Sequence, residues 1–372
     1  MPPVPQSRPP APNRPAPSRR RRLLGALVPP GFFDFWAGHV SKTLSFERPL
    51  ARIVAVERAS ADAVTLVLRA NRHWQGCAPG QHVSIGAEVD GRRVHRSYSP
   101  SVIDPRRRLL AITVKTIDGG LLSGHLATRA KRGDVLEIGQ AYGAMTLPED
   151  PSLPVLLLAA GSGITPLMAM LRTLARREVP TLATLLYWSR RRDQLCYVDE
   201  LRALAASVPG LRVRFLLTGE AATAADEGEG RLDTELLATH VPDLALRHVY
   251  ACGPGGFVDR ARAVAAADAA AFQAEAFTLP DVAPATGGKV EVRLARSGRS
   301  VQVERGVPLL AALEAQGIKH PNACRMGLCN TCACGKRAGT TRHLIDGLVD
   351  SEAASALRIC VSAALTDIEL DL

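Results

Sequence analysis

LPVLLLAAGSGITPLMAML, residues 153–171, runs for 19 residues without a charge, long enough to cross a bilayer as one helix. Gly-Ser-Gly at 161–163 and Thr165-Pro166 interrupt its middle, and they divide it into an apolar strand over 155–160, a tight turn and a helix. The helix is expected to begin at Pro166, where a missing N–H costs nothing, with Thr165 as its N-cap. Strand, glycine turn and helix together open a parallel α/β unit. The sequence beyond repeats the pattern, with apolar strands at 182–187, 213–217 and 248–251 alternating with Ala/Leu-rich helical stretches. Residues 151–278 are therefore read as an α/β domain with a parallel sheet.

On the N-terminal side the period changes to two. Ile53, Val54 and Val56, then Val64, Leu66 and Leu68, then Val83 and Ile85, then Leu110, Ile112 and Val114 form short alternating runs separated by Gly and Pro, which predicts an antiparallel barrel over 47–150. Residues 1–46 precede it. The first 22 contain eight prolines and six arginines (Arg8, Arg14 and residues 19–22) and no acid, so they read as a disordered basic arm. That arm supplies six of the chain's net +10. The remainder carries only +4, and the arm lacks interleaved aromatics, so nucleic-acid binding is not expected. Leu23, Leu24, Phe32, Phe33 and Trp36 follow the arginines and raise the expectation of a peripheral contact with an anionic membrane surface. A twin-arginine export signal is not expected, because Pro29 and Pro30 cut the apolar run short.

On the C-terminal side a Pro/Gly/Ala linker over 279–288 leads to a small β-rich module, 289–372, which opens with VEVRLA and SVQVER and ends with LTDIELDL. Here Cys324, Cys329 and Cys332 follow a C-x4-C-x2-C spacing, and Cys360 follows after 27 intervening residues. Three thiolates on one loop and a distant fourth match the plant-type [2Fe–2S] signature, whereas a zinc ribbon would supply two CxxC pairs. Gly327 and the small residues Asn330, Thr331 and Ala333 let the backbone come close enough to point N–H groups at the sulfurs. Cys334 is an extra thiol outside the set. The thiol cluster points to a reducing, cytoplasmic compartment.

Three more motifs lie upstream. Arg96, Ser97, Tyr98 and Ser99 end a barrel strand, and Gly119, Gly120 and Ser123 precede a helix, where bare N–H groups suit a phosphate. The glycine turn of 161–166 and ACGPGGF (251–257) each follow an apolar strand. Any one of these is weak by itself, but their order is specific. Residues 50–277 resemble the ferredoxin–NADP reductase superfamily, and 289–372 resembles a plant-type ferredoxin domain of β-grasp-like α+β fold. One departure is the charge of that last module, whose 11 basic and 9 acidic residues contrast with the acidic surface usual in ferredoxins.

The resemblance implies a flavin-binding barrel, an NAD(P)-binding domain and an iron–sulfur domain in series. It implies that Arg96 binds flavin phosphate, that Tyr98 stacks on the flavin with Ser97 beside it, and that Ser99 lies near its N5. Gly119, Gly120, Leu121 and Ser123 would contact flavin phosphate, and Gly161, Gly163, Thr165 and Pro166 would approach the nicotinamide nucleotide. Cys252 and Gly253 would lie near the nicotinamide, Cys252 either aligning hydride transfer or serving as a small buried hydrophobe. FAD is the expected flavin, with FMN as the alternative. Ser189 and residues 190–192, all arginine, stand where an acid would bind a ribose 2′-hydroxyl, so NADPH is expected and NADH is the alternative. Within that stretch Ser189 and Arg190 are the expected contacts, with Tyr197 on the adenine. The implied electron path runs from NAD(P)H to flavin to [2Fe–2S] to a terminal oxygenase or membrane-bound desaturase. A soluble Rieske-type oxygenase as acceptor, or a flavin reductase with a regulatory ferredoxin domain, is the alternative.

Overall fold

The computed structural model describes Asp34, Trp36, His39 and residues 41–177, 181–277, 287–345 and 347–372. The basic arm over 1–22 lies outside the described residues, as do residues 278–286, which include most of the linker over 279–288. Met1–Arg48 and Pro49–Leu372 are separate units. In the first, the Asp34 carboxylate accepts hydrogen bonds from the Phe46 N–H at 2.7 Å, the Arg48 Nε at 3.1 Å and the Ser45 hydroxyl at 3.2 Å.

The second unit begins with seven strands: β1 (Leu50–Ser60), β2 (Ala63–Ala70), β3 (Val83–Val89), β4 (Arg92–Tyr98), β5 (Ser101–Asp104), β6 (Leu109–Lys115) and β7 (Val135–Ile138). They pair antiparallel in the order β4-β3-β7-β1-β2-β6-β5, and helix α1 (Leu121–Thr128) packs against them. The period-two reading holds here. Ile53, Leu66, Leu68, Val83, Ile85, Leu110, Ile112 and Val114 are all fully buried, each burial contributing about 1.5–3 kcal/mol. Val56 does not join them and is 39% exposed, beyond a register shift between Ile53 and Ala55 of the kind that re-aims side chains.

The next sheet is parallel throughout: β8 (Val155–Ala160), β9 (Ala183–Ser189), β10 (Leu211–Leu217), β11 (Glu227–Glu229), β12 (His248–Gly253) and β13 (Ala271–Ala276), in the order β11-β10-β9-β8-β12-β13. Helices α2 (Ile164–Leu174), α3 (Val198–Ser207), α4 (Thr234–His240) and α5 (Gly255–Ala265) connect its strands. The chain moves outward from β8 in one direction and returns to β12 on its other side, so the carboxyl ends of β8 and β12 border the crevice where such sheets bind ligands. Every residue of β8 is buried, which is why the sequence shows a continuous apolar run there instead of an alternation.

The helix after β8 starts earlier than expected. A 3-10 turn at Gly161–Gly163 winds directly into α2, whose cap is Gly163 and whose first residue is Ile164. Thr165 is therefore inside the helix and donates its hydroxyl to the Ser162 carbonyl at 3.0 Å, so it is not the N-cap. Pro166 is tolerated because the first turn of a helix has no intrahelical acceptors for its N–H groups.

The last module contains β14 (Lys289–Leu294), β15 (Arg299–Glu304), α6 (Leu309–Ala315), β16 (Ala333–Ala338), β17 (Thr341–His343), β18 (Val349–Asp350), β19 (Ala354–Arg358), β20 (Ser362–Ala364) and β21 (Ile368–Leu370). Its main sheet has the order β15-β14-β21-β16-β19, with β14 antiparallel to β15 and parallel to β21. Strands β18, β17 and β20 form a second small sheet. Val290, Val292, Leu309, Leu313, Ile359 and Leu370 fill the core, and Cys332 and Cys360 belong to the same cluster.

Candidate functional site

The strand ends and loops converge on a cavity of about 600 Å3. Its wall takes Arg96, Ser97, Tyr98 and Ser99 from the end of β4, Gly119, Gly120, Leu121 and Ser123 from the start of α1, and Ser162 and Thr165 from the turn after β8. Cys324, Met326 and Leu328 of the cysteine loop close the same cavity. Four of the stretches singled out in the sequence thus meet in one place.

The lining suits a flavin phosphate. The Arg96 guanidinium is half-buried and pairs with no carboxylate among the described residues; its one hydrogen bond goes to the His95 carbonyl at 2.7 Å. Burial lowers its pKa, and neighbouring Arg325 lowers it further, so an anion here would relieve a real cost. No side chain caps the N-terminus of α1 at Gly120, which leaves its first N–H groups available to an anion. Tyr98 is largely buried, and that burial pushes its phenol pKa up, so it presents a neutral ring.

Ser99 is anchored by residues the motifs did not reveal. Its Oγ lies 2.8 Å from Nδ1 of His82, and Nε2 of His82 meets the Glu275 carboxylate. His82 comes from the barrel and Glu275 from β13, 193 positions later, and both are almost wholly buried. Phe277 lines the cavity and sets its ring edge-on to His82 at 6.1 Å.

Behind the wall, Gly163 is packed so tightly that a Cβ there would sit 1.9 Å from the Cys252 carbonyl oxygen, which only glycine avoids. Cys252 itself is fully buried in the core beneath the crevice, and burial pushes its thiol pKa far up. Gly163, Pro166, Cys252 and Gly253 therefore back the crevice and do not line its cavities.

A second cavity of about 810 Å3 opens at the carboxyl ends of β8 and β9 and includes Gly161, Ser162, Ser189 and Arg190. It adds two arginines that the sequence did not signal, Arg231 and Arg260. Arg190 and Arg231 pair with no carboxylate among the described residues, and Arg260 gives its Nε to the Leu232 carbonyl at 3.0 Å. The other arginines of the run are spent locally. Arg191 pairs with Asp193 at 2.5 Å, and Arg192 forks onto Glu227 at 2.6 and 2.7 Å, holding that buried carboxyl down to about 2. Tyr197 does not line this cavity. Its backbone is left-handed (φ 63°), its hydroxyl bonds the Thr113 hydroxyl at 2.5 Å, and Arg172 lies over its ring at 5.3 Å, so it serves the contact with the barrel.

The four cysteines come together as two pairs, Cys324 with Cys329 and Cys332 with Cys360. Within each pair one thiol is held low by its neighbour, Cys329 by Cys324 and Cys332 by Cys360, while that same neighbour and then burial push Cys324 and Cys360 up. Backbone N–H groups point at the sulfurs: those of Met326 and Cys329 reach Cys324 Sγ at 3.3 Å, and that of Cys324 reaches Cys329 Sγ at 3.4 Å. Among the described residues no three His, Cys, Asp or Glu side chains converge as ligands of a single ion. Two pairs of thiols are what two bridged irons require, and one tetrahedral zinc would require all four about one point. The loop is held by its backbone. Gly327 (φ 73°) packs so closely that a Cβ would lie 2.8 Å from Val361, and Arg358 donates to its carbonyl at 2.6 Å.

An antiparallel flavin barrel, a parallel nucleotide sheet and a cysteine loop that share one cavity define, with the four thiols gathered at that loop, a flavin-dependent iron–sulfur oxidoreductase. The sequence comparisons agree: residues 50–146 match the oxidoreductase FAD-binding domain family, 157–263 the oxidoreductase NAD-binding domain family, and 292–365 the 2Fe-2S iron-sulfur cluster binding domain family. The chain is 35% identical over 360 residues to an NADPH oxidoreductase of Mycobacterium tuberculosis, an alignment covering 95% of this chain and 92% of that one. It is 27% identical to the glycine betaine monooxygenase reductase subunit of Pseudomonas aeruginosa, with 89% and 97% covered. A solved phthalate dioxygenase reductase shares the fold, with a TM-score of 0.58 at 24% identity over 87% of this chain and 97% of that one. The chain belongs to the ferredoxin–NADP reductase superfamily, in the branch that ends in a [2Fe–2S] domain.

Proposed function

We propose that this oxidoreductase is an NADPH-dependent reductase component that supplies electrons to a terminal oxygenase. The observation that carries the reading is the shared cavity of about 600 Å3, whose wall includes flavin-motif, nucleotide-turn and cysteine-loop residues together. Bound flavin accepts a hydride's two electrons and releases them singly, and a bound [2Fe–2S] cluster carries one at a time. The chain provides the placement. Arg96 and the open N–H groups at Leu121 and Ser123 hold the flavin phosphate, with Gly119 and Gly120 shaping the turn before them, where the Gly120 N–H donates to the Ile117 carbonyl at 2.8 Å. Ser97 and Tyr98 shape the ring site, and Ser99 presents a hydroxyl oriented by His82. Gly161, Ser162 and Thr165 receive the nicotinamide half. Cys324, Cys329, Cys332 and Cys360 hold the cluster.

NADPH is preferred over NADH because Ser189, Arg190, Arg231 and Arg260 line one cavity, where a 2′-phosphate would find guanidinium donors. The name of the Mycobacterium tuberculosis relative supports the same choice. An oxygenase as acceptor is supported by the relative that is the reductase subunit of glycine betaine monooxygenase. All eight cysteines are free thiols, which suits the cytoplasm. A membrane-bound desaturase as acceptor is a second reading, favoured by the arginines of residues 1–22; among the described residues no helix is long and apolar enough to cross a membrane. Salt-sensitive binding to anionic vesicles that disappears when residues 1–22 are removed would support it, and its absence would leave the oxygenase reading alone.

Anaerobic titration of the purified protein with NADPH and, separately, NADH tests the main reading. Flavin and iron–sulfur absorbance should both bleach, at a much lower concentration of NADPH than of NADH. Flavin bleaching with no change in cluster absorbance would overturn it.

A further inference from the structure

A third cavity, of about 840 Å3, lies between the barrel and helix α2 and shares no lining residue with the other two. Gln81 and Pro100 line it, whereas their neighbours in the chain, His82 and Ser99, line the flavin cavity, so the same segments wall both spaces. Its charge is of one sign. Arg108 from the turn between β5 and β6 lines it, as do Arg172 and Arg176 at the C-terminal end of α2, and among the described residues no Asp or Glu does. Arg172 is committed, forking onto Glu200 at 2.7 and 2.6 Å and donating to the Ser101 hydroxyl at 2.8 Å. Arg108 and Arg176 are exposed and pair with no carboxylate among the described residues. Trp74 adds an independent signal. It is only 5% exposed and lines the same cavity, and its indole N–H is buried with no acceptor among the described residues. A buried donor left without an acceptor has lost its water and gained nothing in return. Pro79, Pro100, Val102, Pro105 and Ala169 supply an apolar wall. Cys77 also lines the space, but burial pushes its thiol up to about 11, so the cavity offers binding and no nucleophile.

From these features we infer that this cavity is a further ligand site, for a small organic anion: an apolar body headed by a carboxylate. A carboxylate accepts from a guanidinium fork through two oxygens and keeps lone pairs for an indole N–H, so one head group serves both kinds of donor. Arg108 and Arg176 supply the charge, and Trp74 supplies a directed bond from a side chain fixed in the barrel core. The proline and aliphatic wall covers the body. An inorganic anion would leave that wall wet, and a neutral molecule would leave the guanidinium groups unpaired, so recognition needs both halves of the ligand. The volume falls within the roughly 300–1,000 Å3 usual for small-molecule sites. None of these residues belongs to the flavin, nucleotide or cysteine sets, so the site stands whether or not the reductase reading does.

The test is isothermal titration calorimetry of the full-length protein, as purified, with sodium 2-naphthoate. Two controls run beside it: naphthalene-2-carboxamide, which keeps the body without the charge, and inorganic phosphate, which keeps the charge without the body. The naphthoate should bind saturably at one site, and each control at least about tenfold more weakly. R108Q/R176Q changes only exposed side chains and should lose at least about tenfold in naphthoate affinity, with flavin content and the KM for NADPH at parent values. W74F keeps an aromatic ring, loses the N–H and should bind about fivefold more weakly. Should W74F fail to fold, R108Q/R176Q alone decides. A parent protein that binds no naphthoate, or binds either control as tightly, would overturn the assignment, as would parent affinity in R108Q/R176Q. Naphthoate displaced by saturating NADP+ and indifferent to R108Q/R176Q would sit in the nucleotide cavity, which overturns it equally.

Discussion

Oγ of Ser99 and Nδ1 of His82 stand 2.8 Å apart in a pocket that leaves His82 only 2% exposed, and Glu275 holds the far side of the imidazole. The hydroxyl at the end of the flavin motif is therefore fixed from the barrel, and its support is fixed from the nucleotide sheet. The two domains meet at the atoms that face the cavity.

That relationship separates two kinds of damage. S99A should bind flavin and fold normally yet slow flavin reduction by NADPH about tenfold, because only an oriented hydroxyl is lost. H82L leaves the buried Glu275 carboxylate without its donor and should also cost about 1–3 kcal/mol of stability. Stopped-flow rates and urea midpoints read the two effects. Equal stability of H82L and parent would show that Glu275 does not depend on His82.

Glu227 gives a pH dependence with a definite sign. Arg192 and the Thr223 and Ala224 N–H groups hold its carboxyl at about 2 instead of the ordinary 4.5. A carboxyl depressed in the folded state stabilises the protein above its unfolded value and loses that contribution as pH falls through the folded one. The parent should therefore be more stable than E227Q at pH 7, with the gap narrowing below about 4.5 and closing near 2. Denaturant midpoints across that range check it; a constant gap would contradict it.

The pairing of thiols predicts unequal consequences for neighbouring cysteines. C329S should lose the cluster's visible absorbance and bring cytochrome c reduction to background, while NADPH still bleaches the flavin. C334S should keep the cluster, because Cys334 is buried in the sheet outside both pairs and burial holds its thiol up at about 12. Iron content and absorbance spectra separate them.

For nucleotide choice, R190A should raise the KM for NADPH roughly 10–100-fold, the worth of a charge-assisted hydrogen bond to phosphate, and leave NADH nearly unchanged. R192A should instead destabilise the fold, since its guanidinium is committed to Glu227. Steady-state kinetics with both nucleotides, together with melting curves, distinguish specificity from structure. Equal effects of R190A on the two nucleotides would remove Arg190 from the phosphate site.

Local signals in the sequence determined much of this protein. A period of two, apolar runs closed by glycine turns, and four cysteines at set spacings each depend on residues close in the chain, and the barrel core, the parallel sheet and the cysteine loop follow them. The tertiary structure decided what depends on distant residues meeting. His82 and Glu275 lie 193 positions apart, and no spacing rule links them to each other or to Ser99. Three consecutive arginines look alike in sequence, but Asp193 and Glu227 claim two of them and leave Arg190 to the cavity, where Arg231 and Arg260 join it. Tyr197, read as an adenine platform, meets Thr113 of the barrel through its hydroxyl and Arg172 through its ring, contacts that no spacing announced. Side chains take the partners that packing brings within reach, and those partners come from elements that only the folded sheets bring together.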